Sequence, residues 1–223
     1  MKKKNINPVR SLKNSGFSKS IFRKGWEYGT SNGVKLILAS ESPRRIELLK
    51  LLGCKFKIIP SLIEEKINPH LTPIENVKRI SRLKALDVAS KISEGIVIAA
   101  DTIVVLDKRI LGKPKNKKEA REMLKSLSGK VNKVITGLAV IDAKTKKILQ
   151  DAVITKVKLR HLNKNLIDKY IASGEPFDKA GAYAIQGKAS LFVELIRGDY
   201  FNMVGLPLSA LNRLLEKFGI DLI

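Results

Sequence analysis

The chain alternates short apolar runs with segments in which apolar residues recur at helical spacing. The apolar run from Val34 to Ala39 predicts a buried strand. Helical spacing begins after Ser42 and Pro43, with Ile46 as the first apolar position of a stripe. Serine is a common helix N-cap, and proline suits the first helical position because its missing N–H costs nothing there. The pattern therefore predicts a strand, a turn and a helix.

The same alternation continues to the C-terminus. Further strands are predicted at Phe56–Pro60, Ile96–Ala100, Val131–Ile141, Ala152–Leu159 and Ser190–Ile196. Further helices are predicted from Thr72 to about Ile92, from Asn116 to Leu127, from Asn163 through Ile171, and after Pro207. Because strands and helices interleave while some neighbouring strands are joined by hairpins, the predicted class is α/β with a mixed sheet.

The helix after Thr72 has a clear amphipathic pattern. Its predicted buried stripe consists of Val77, Ile80, Leu83 and Leu86. Lys84 falls outside this stripe, and a lysine on such a helix is usually solvated. The pattern by itself therefore predicts an exposed Lys84.

A carboxylate interrupts the most apolar run of the chain. The run that begins at Ile96 is followed by Asp101 and Thr102, and apolar residues then continue to Leu106. A carboxylate in such a setting is costly to ionise unless cations or hydrogen-bond donors meet it. We interpret Asp101 as a general base or metal ligand at the end of a buried strand. A structural aspartate with satisfied hydrogen bonds is the alternative.

Two arginines occupy the first turn of the first predicted helix. Arg44 and Arg45 stand at the positive end of the helix dipole, where acidic residues are usual. Cations there repel the helix end unless an anion lies between them. Free backbone N–H groups and two guanidinium groups would together form a cradle for phosphate. The alternative is a solvated arginine pair beside an ordinary helix cap.

Polar, glycine-containing segments hold the remaining candidate chemistry. In the segment 112–114, Gly112 allows close backbone approach beside Lys113. The segment 174–187 is too polar and glycine-rich for core, and loops of this length inside compact domains are typically functional. A further polar loop is predicted over 198–202.

Composition and charge narrow the function classes. The 223 residues can bury a sizeable core as one large domain or two lobes. No apolar run approaches the ~18 residues of a membrane helix, so a membrane partner is not expected. The single Cys54 excludes an internal disulfide. A net charge of +22 raises the hypothesis of nucleic-acid binding, but its lysines are spread over amphipathic segments, which favours a basic surface without that function.

Residues 1–33 differ in character from the rest of the chain. They carry eight Lys or Arg and one acidic residue, lack periodicity, and are predicted to form a disordered basic extension. They also lack the compact apolar segment of a secretory signal. An organelle transit peptide, a cloning remnant and a start assigned too far upstream are the alternatives.

Motifs along residues 34–223 resemble those of the Maf family of nucleotide pyrophosphatases. The matching segments are LASxSPRR (38–45), AADT (99–102), GKP (112–114), SG (128–129), TG (136–137), GEPxDKAGAY (174–183), IQG (185–187) and GDYxNxVGLPL (198–208). They occur in order over nearly all of this region. We therefore predict that residues 34–223 form a Maf-like nucleotide pyrophosphatase domain.

This resemblance implies a fold similar to that of inosine triphosphate pyrophosphatases, an elongated mixed sheet with flanking helices and two lobes around a cleft. It implies hydrolysis of a nucleoside triphosphate between the α and β phosphates, with Mg²⁺ or Mn²⁺ as the cofactor. The implied role is cytoplasmic clearance of noncanonical or excess nucleotides, with a link to arrest of septum formation. Family members are often homodimers, so a homodimer is an expected assembly.

The resemblance also implies roles for particular residues. Asp101 matches the general base, and Glu65 matches an acidic partner that binds the metal together with Asp101. Lys84 matches one of the cationic phosphate-binding positions, and all three residues are expected to be catalytic. The expected substrate-binding residues are Ser40, Arg44, Arg45, Lys113, Thr102 and Gln186. An Arg, a Thr and a Gln mark the subgroup that prefers dTTP and UTP, and all three are present, as Arg44, Thr102 and Gln186.

The chain departs from the family pattern at three positions. Asn132 replaces the usual His, Ala184 replaces a Gly, and Met203 replaces a common Val. Asn132 is expected to alter a hydrogen bond behind the site, and the other two to alter packing. Two alternatives remain at this point: a pyrophosphatase of the 7-methyl-GTP type, and a non-catalytic protein that binds nucleic acid or regulates division.

Overall fold

A seven-stranded mixed sheet forms the centre of the fold. The structure, a computed structural model, describes residues 33–222, so the predicted extension lies outside the described residues except for Gly33. The strands are β1 (Leu36–Leu38), β2 (Phe56–Ile58), β3 (Ile96–Leu106), β4 (Arg109–Leu111), β5 (Val131–Asp142), β6 (Ile148–Leu159) and β7 (Val193–Arg197). Their order is β2-β1-β3-β5-β6-β7, with β4 also paired to β3. β1 runs parallel to β2 and β3, and the other pairs are antiparallel. The predicted mixed α/β class is confirmed.

Helices flank this sheet, and most begin at the predicted caps. They are α1 (Pro43–Leu51), α2 (Pro73–Ala89), α3 (Lys117–Leu127), α4 (Lys164–Ala172), α5 (Tyr200–Val204) and α6 (Leu208–Glu216). The side chains of Thr72, Asn116 and Asn163 each accept a hydrogen bond from the backbone N–H three residues further on. These bonds satisfy N–H groups that have no partner within a helix. In the described part of the chain, no helix has the length and apolar content needed to cross a membrane.

Three predicted elements are corrected by the structure. β3 continues without a break through Asp101, which therefore lies inside a strand and not at its end. The cause is β5, which pairs with β3 from Ile96 to Val105. The predicted loop over 198–202 is instead the start of α5, which is capped by Asp199 and continues to Val204. The last predicted strand starts at Val193, since residues 188–192 form a 3-10 helix.

The sheet has a gap beside the middle of β3. β1 is paired with β3 only as far as Ile98, and β4 begins to pair with it at Val104. Between these two positions, no strand of the described region pairs with that edge of β3. Asp101 and Thr102 lie opposite the gap, and the chain segments that follow β1 and β4 both start at it.

The same point of β3 divides the core. On one face of the sheet, a cluster around Leu38 and Leu211 is separate from a cluster around Leu124 and Phe192. On the other face, Ala99 and Ile103 belong to different clusters. Two lobes with separate cores are thus joined by the long strands, as predicted, and the gap lies between the lobes.

Helix α2 lies unusually close to the sheet at Gly137 of β5. A Cβ atom at Gly137 would lie 2.4 Å from the carbonyl carbon and oxygen of Val77. Only glycine allows this approach, since real Cβ contacts are essentially never so short. The approach sets the depth of α2 and brings its side chain Lys84 against β3.

Candidate active site

A cavity of about 400 Å³ occupies the gap between the lobes. Its walls come from the turn after β1, the start of α1, the loop before α2, the middle of β3, the segment after β4, and the 178–184 and 203–205 segments. The charged and hydroxyl residues that line it are Ser40, Glu41, Ser42, Arg44, Arg45, Ser61, Glu65, Lys84, Asp101, Thr102, Lys113, Asp178, Lys179 and Tyr183. Cationic and acidic groups therefore face one another across a single space.

A buried lysine joins two carboxylates on the α2 side of the cavity. The Lys84 Nζ atom lies 2.8 Å from Asp101 Oδ1 and 2.6 Å from Glu65 Oε1. The side chains of Lys84 and Asp101 are each 7% exposed, whereas that of Glu65 is 49% exposed. The prediction of a solvated Lys84 is therefore wrong, because α2 is rotated so that this lysine faces the sheet. Leu83, which was predicted to be buried, is 37% exposed for the same reason.

The charge of Glu65 is stabilised within this centre. Burial by itself raises the pKa of Glu65, but the charge and hydrogen bond of Lys84, together with the charges of Lys113 and Arg45, outweigh it and lower the pKa below its ordinary value. The loop that carries Glu65 is fixed at its start by Asp87. The Asp87 Oδ2 atom accepts hydrogen bonds from Ser61 Oγ at 2.9 Å and from the Leu62 N–H at 3.0 Å.

Arg45 projects from α1 into the opposite side of the cavity. Its Nε donates to the carbonyl oxygen of Gly205 at 2.8 Å, Nη1 to Ser40 Oγ at 3.2 Å and Nη2 to Thr102 Oγ1 at 3.1 Å. Burial lowers the pKa of Arg45, while the charges of Asp101 and Glu65 act in the opposite direction. An arginine remains protonated in proteins, so Arg45 presents a fixed positive charge to the cavity.

Ser40 is oriented as a hydrogen-bond donor. Its Oγ atom accepts from the Ser42 N–H and from Arg45 Nη1, each at 3.2 Å. A hydroxyl oxygen has two lone pairs and one hydrogen, so both acceptor positions of Ser40 are used. Its hydrogen is left to interact with an acceptor in the cavity, such as a phosphate oxygen.

Two further cationic side chains, those of Arg44 and Lys179, contact the same carboxylate, that of Asp178. Arg44 Nη1 lies 3.2 Å from Asp178 Oδ2, and Lys179 Nζ lies 2.6 Å from Asp178 Oδ1. The Lys179 ammonium also donates to the Glu175 carbonyl oxygen at 2.7 Å. Lys113 is exposed and lines the cavity from the segment after β4. The arginine pair of α1 is therefore part of a broader cationic wall.

Asn132, which replaces the usual His of the family pattern, makes hydrogen bonds through both its amide oxygen and its amide nitrogen. It is 1% exposed, and its Oδ1 accepts from the Tyr183 hydroxyl at 2.7 Å. Its Nδ2 donates to the Val157 carbonyl oxygen at 3.1 Å. Burial raises the pKa of Tyr183, although the bond to Asn132 acts in the opposite direction. Asn132 thus fixes a tyrosine that forms part of the cavity wall.

All the predicted site residues except Gln186 line the cavity. Gln186 is half-buried in the glycine-rich loop, outside the lining. The residues that the sequence prediction did not assign to the site include Asp178, Lys179, Tyr183 and Gly205. The sequence could have indicated them, because all four lie in the polar, glycine-containing segments that were predicted to be functional or that carry the family motifs.

The carboxylates suit a hard divalent cation. Within residues 33–222, no group of three or more His, Cys, Asp or Glu residues is arranged to hold a metal by itself. Mg²⁺, however, usually takes only one or two protein carboxylates and completes its coordination with substrate phosphates and water. Asp101 and Glu65 meet at a single ammonium nitrogen, so they form a donor set of this kind.

Comparisons with known proteins show what the chain is similar to. The dTTP/UTP pyrophosphatase of Alkaliphilus oremlandii is 54% identical over 191 residues, which cover 85% of this chain and 99% of that protein. The dTTP/UTP pyrophosphatase of Dictyoglomus thermophilum is 48% identical over 190 residues, which cover 85% and 98%. Among solved structures, a HAM1 protein from Coxiella burnetii has a TM-score of 0.48 and 16% identity, with 82% of this chain and 99% of that one covered. Residues 35–218 match the profile of the family described as Maf-like protein, and the chain belongs to that family.

Proposed function

We propose that this protein hydrolyses nucleoside triphosphates, with dTTP and UTP preferred, to the monophosphate and pyrophosphate. The observation that carries the proposal is that one cavity is lined both by the ion-paired Lys84, Asp101 and Glu65 and by the cationic side chain of Arg45. Attack of water on a phosphoryl group needs positioning and charge neutralisation more than covalent participation by the protein. Relatives named dTTP/UTP pyrophosphatase, about half identical over most of the chain, support the same reaction.

In this proposal Asp101 is the general base. Its Oδ1 accepts a hydrogen bond from Lys84, which fixes the orientation of the carboxylate inside the strand. The other carboxylate oxygen is then available to orient a water molecule and accept its proton. Lys84 supplies the compensating charge without which a carboxylate this buried would be costly.

The cationic wall would bind the triphosphate. Arg45 offers the N–H groups that its three protein hydrogen bonds leave over, and Ser40 offers its hydroxyl hydrogen. Arg44 and Lys113 add charge at the rim. Such donors are worth most in a cavity from which water is excluded, where charge develops on the phosphate oxygens.

Asp101 and Glu65 would hold the divalent cation, Mg²⁺ or Mn²⁺. When bound, the cation neutralises charge on the phosphate oxygens. Glu65 fits this position because its pKa is lowered, so its carboxylate is ionised at neutral pH. Its greater exposure also leaves room for ligands that come with the substrate.

Preference for dTTP and UTP follows from the three marker residues, of which Arg44 and Thr102 line the cavity. Gln186 would have to act from the adjoining loop. The predicted role in nucleotide clearance, the link to septum formation, the cytoplasmic location and the homodimer stay predictions, as does the absence of a nucleic-acid partner.

The test is pyrophosphate release from dTTP, UTP, CTP, 7-methyl-GTP and ITP with Mg²⁺ or Mn²⁺. We expect dTTP and UTP to lead and Asp101→Asn to abolish release. Asp107→Asn is the matched control, because it makes the same chemical change in the turn after β3, outside the cavity. Full activity of Asp101→Asn would remove Asp101 as the base, and a lead by 7-methyl-GTP would transfer the protein to the other subgroup.

A further inference from the structure

A chain of hydrogen bonds runs from Arg45, at the cavity, into the core. Arg45 Nη2 lies 3.1 Å from Thr102 Oγ1, which lies 2.9 Å from Thr136 Oγ1, which in turn lies 3.2 Å from the carbonyl oxygen of Asn202. Thr136 and Asn202 are completely buried. Neither of them lines the cavity, and the hydroxyl of Thr136 is connected to it through Thr102 and Arg45.

The direction of every hydrogen in this chain is fixed. A carbonyl oxygen only accepts, so Thr136 donates its single hydroxyl hydrogen to Asn202. Thr136 has no second hydrogen, and Thr102 must therefore be the donor in the contact between the two threonines. Thr102 consequently accepts from Arg45. All the bonds point the same way, an arrangement in which each bond polarises and strengthens the next.

The far end of the chain is anchored. The Nδ2 atom of Asn202 donates to the Val134 carbonyl oxygen at 3.1 Å and to Thr155 Oγ1 at 2.9 Å. Its backbone N–H donates to Asp199 Oδ1 at 3.0 Å. The same short segment supplies the Gly205 carbonyl oxygen that accepts from Arg45 Nε. Arg45 is thus tied to the α5 segment both directly and through two hydroxyl groups.

We propose that Thr136 is a positioning residue for Arg45. Its hydroxyl keeps Thr102 turned as an acceptor, and Thr102 in turn holds the guanidinium in the orientation that presents its remaining N–H groups to the triphosphate. The inference rests on the proposed function only in assigning Arg45 to triphosphate binding. Without the Thr136 hydroxyl, the hydroxyl hydrogen of Thr102 loses its acceptor. If the Thr102 hydroxyl then rotates, its hydrogen can point at the N–H of Arg45 and repel it.

Thr136→Val tests this directly, because valine keeps the branched shape and removes the hydroxyl. We expect the KM for dTTP to rise about tenfold, the equivalent of one hydrogen bond of about 1.4 kcal/mol, with a smaller change in kcat. Thr136→Ser restores the hydroxyl and should stay within about twofold of the wild type. Ser81→Ala is the matched control, since it removes another completely buried hydroxyl that bonds only within α2.

A double-mutant cycle separates positioning from general damage. If Thr136 acts through Thr102, then Thr136→Val should add almost nothing to the effect of Thr102→Val on KM. Additive effects, or an equal loss in Thr136→Ser and Thr136→Val, would overturn the proposal. Thr136→Ala takes the place of the valine variant in the cycle if the latter melts below the assay temperature.

A measurement without nucleotide separates this inference from the proposed function. Hydrogen exchange of the Arg45 Nε–H, followed by nuclear magnetic resonance, should be slow in the wild type and in Ser81→Ala but at least tenfold faster in Thr136→Val. This result stands even if the wild type releases no pyrophosphate, which would refute only the proposed function. Unchanged exchange in Thr136→Val would overturn the positioning role, and altered exchange with an unchanged KM would overturn its link to substrate binding.

Discussion

Replacing Lys84 by methionine would test the central ion pair most directly. Methionine keeps most of the length of the lysine stem and removes the ammonium group. Lys84 and Asp101 are both 7% exposed, and their contact is 2.8 Å long. The substitution leaves a buried carboxylate without this cation, in a strand whose neighbours are apolar. We therefore expect the variant to be much less stable than the wild type at neutral pH.

The size of the effect follows from the burial of the pair. Removing one partner of a buried ion pair costs about 3–5 kcal/mol, because the other charge stays buried and unpaired. Glu65 is half exposed, so its contact with Lys84 adds little after solvent screening. In a chain of this length each kcal/mol lowers the melting temperature by about 2–4 °C. The melting temperature should therefore fall by roughly 6–20 °C.

The assay compares three variants by thermal and urea unfolding at pH 7: Lys84→Met, Asp101→Asn, and the two combined. The double variant removes both buried charges, so it should be more stable than Lys84→Met alone. Strictly additive losses would show that the two side chains act independently and would refute this account. A Lys84→Met variant as stable as the wild type would refute the burial of the pair itself.

Three further predictions concern packing, pH and charge. Gly137→Ala should lower the free energy of unfolding by about 1–3 kcal/mol in urea, because its Cβ would meet the Val77 backbone at 2.4 Å. Because folding lowers the pKa of Glu65, its carboxylate stabilises the fold fully above the ordinary pKa of 4.5, and this stabilisation is lost as the pH falls through the lower folded value. Glu65→Gln should therefore flatten the dependence of the free energy of unfolding on pH in this range, and an unchanged slope would contradict the prediction. Asp178→Asn should release Arg44 and Lys179 from their ion pairs, so that pyrophosphate binds more tightly and its inhibition constant falls roughly two- to fivefold. Glu41→Gln is the control for the loss of an acidic charge that lines the cavity.

Local features of the fold were predictable because their causes are local. The N-caps at Thr72, Asn116 and Asn163 depend on side chains a few residues from the bonds they make. The phase of α2 was not predictable in the same way. Its buried face includes the polar residues Asn76 and Ser81 beside Lys84, and hydrophobic spacing assigns polar residues to the solvent side. Their burial depends on hydrogen bonds that spacing does not reveal.

The candidate site shows the same contrast between features with local causes and features that depend on distant residues. The motifs indicated Ser40, Arg45 and Asp101, which all line the cavity, because each motif holds its residues within a short segment. The partners that orient them come from far along the chain: Gly205 lies 160 residues after Arg45, and Asn202 lies 66 residues after Thr136. No spacing rule connects such positions. The continuity of β3 through Asp101 was missed for a related reason, because the pairing partner β5 decides it.

The gap in the sheet explains how one cavity can serve two kinds of chemistry. Asp101 and Thr102 are consecutive in β3, so their side chains project to opposite faces of the sheet. In a continuous sheet those faces would be separated by the backbone of the next strand. Here β1 and β4 both end at the gap, one on either side of this pair, and the cavity reaches both faces around the exposed edge of β3. The Asp101 side is bounded by Lys84 and the Thr102 side by Arg45, so the proposed base and the proposed phosphate wall are fixed by adjacent residues of one rigid strand.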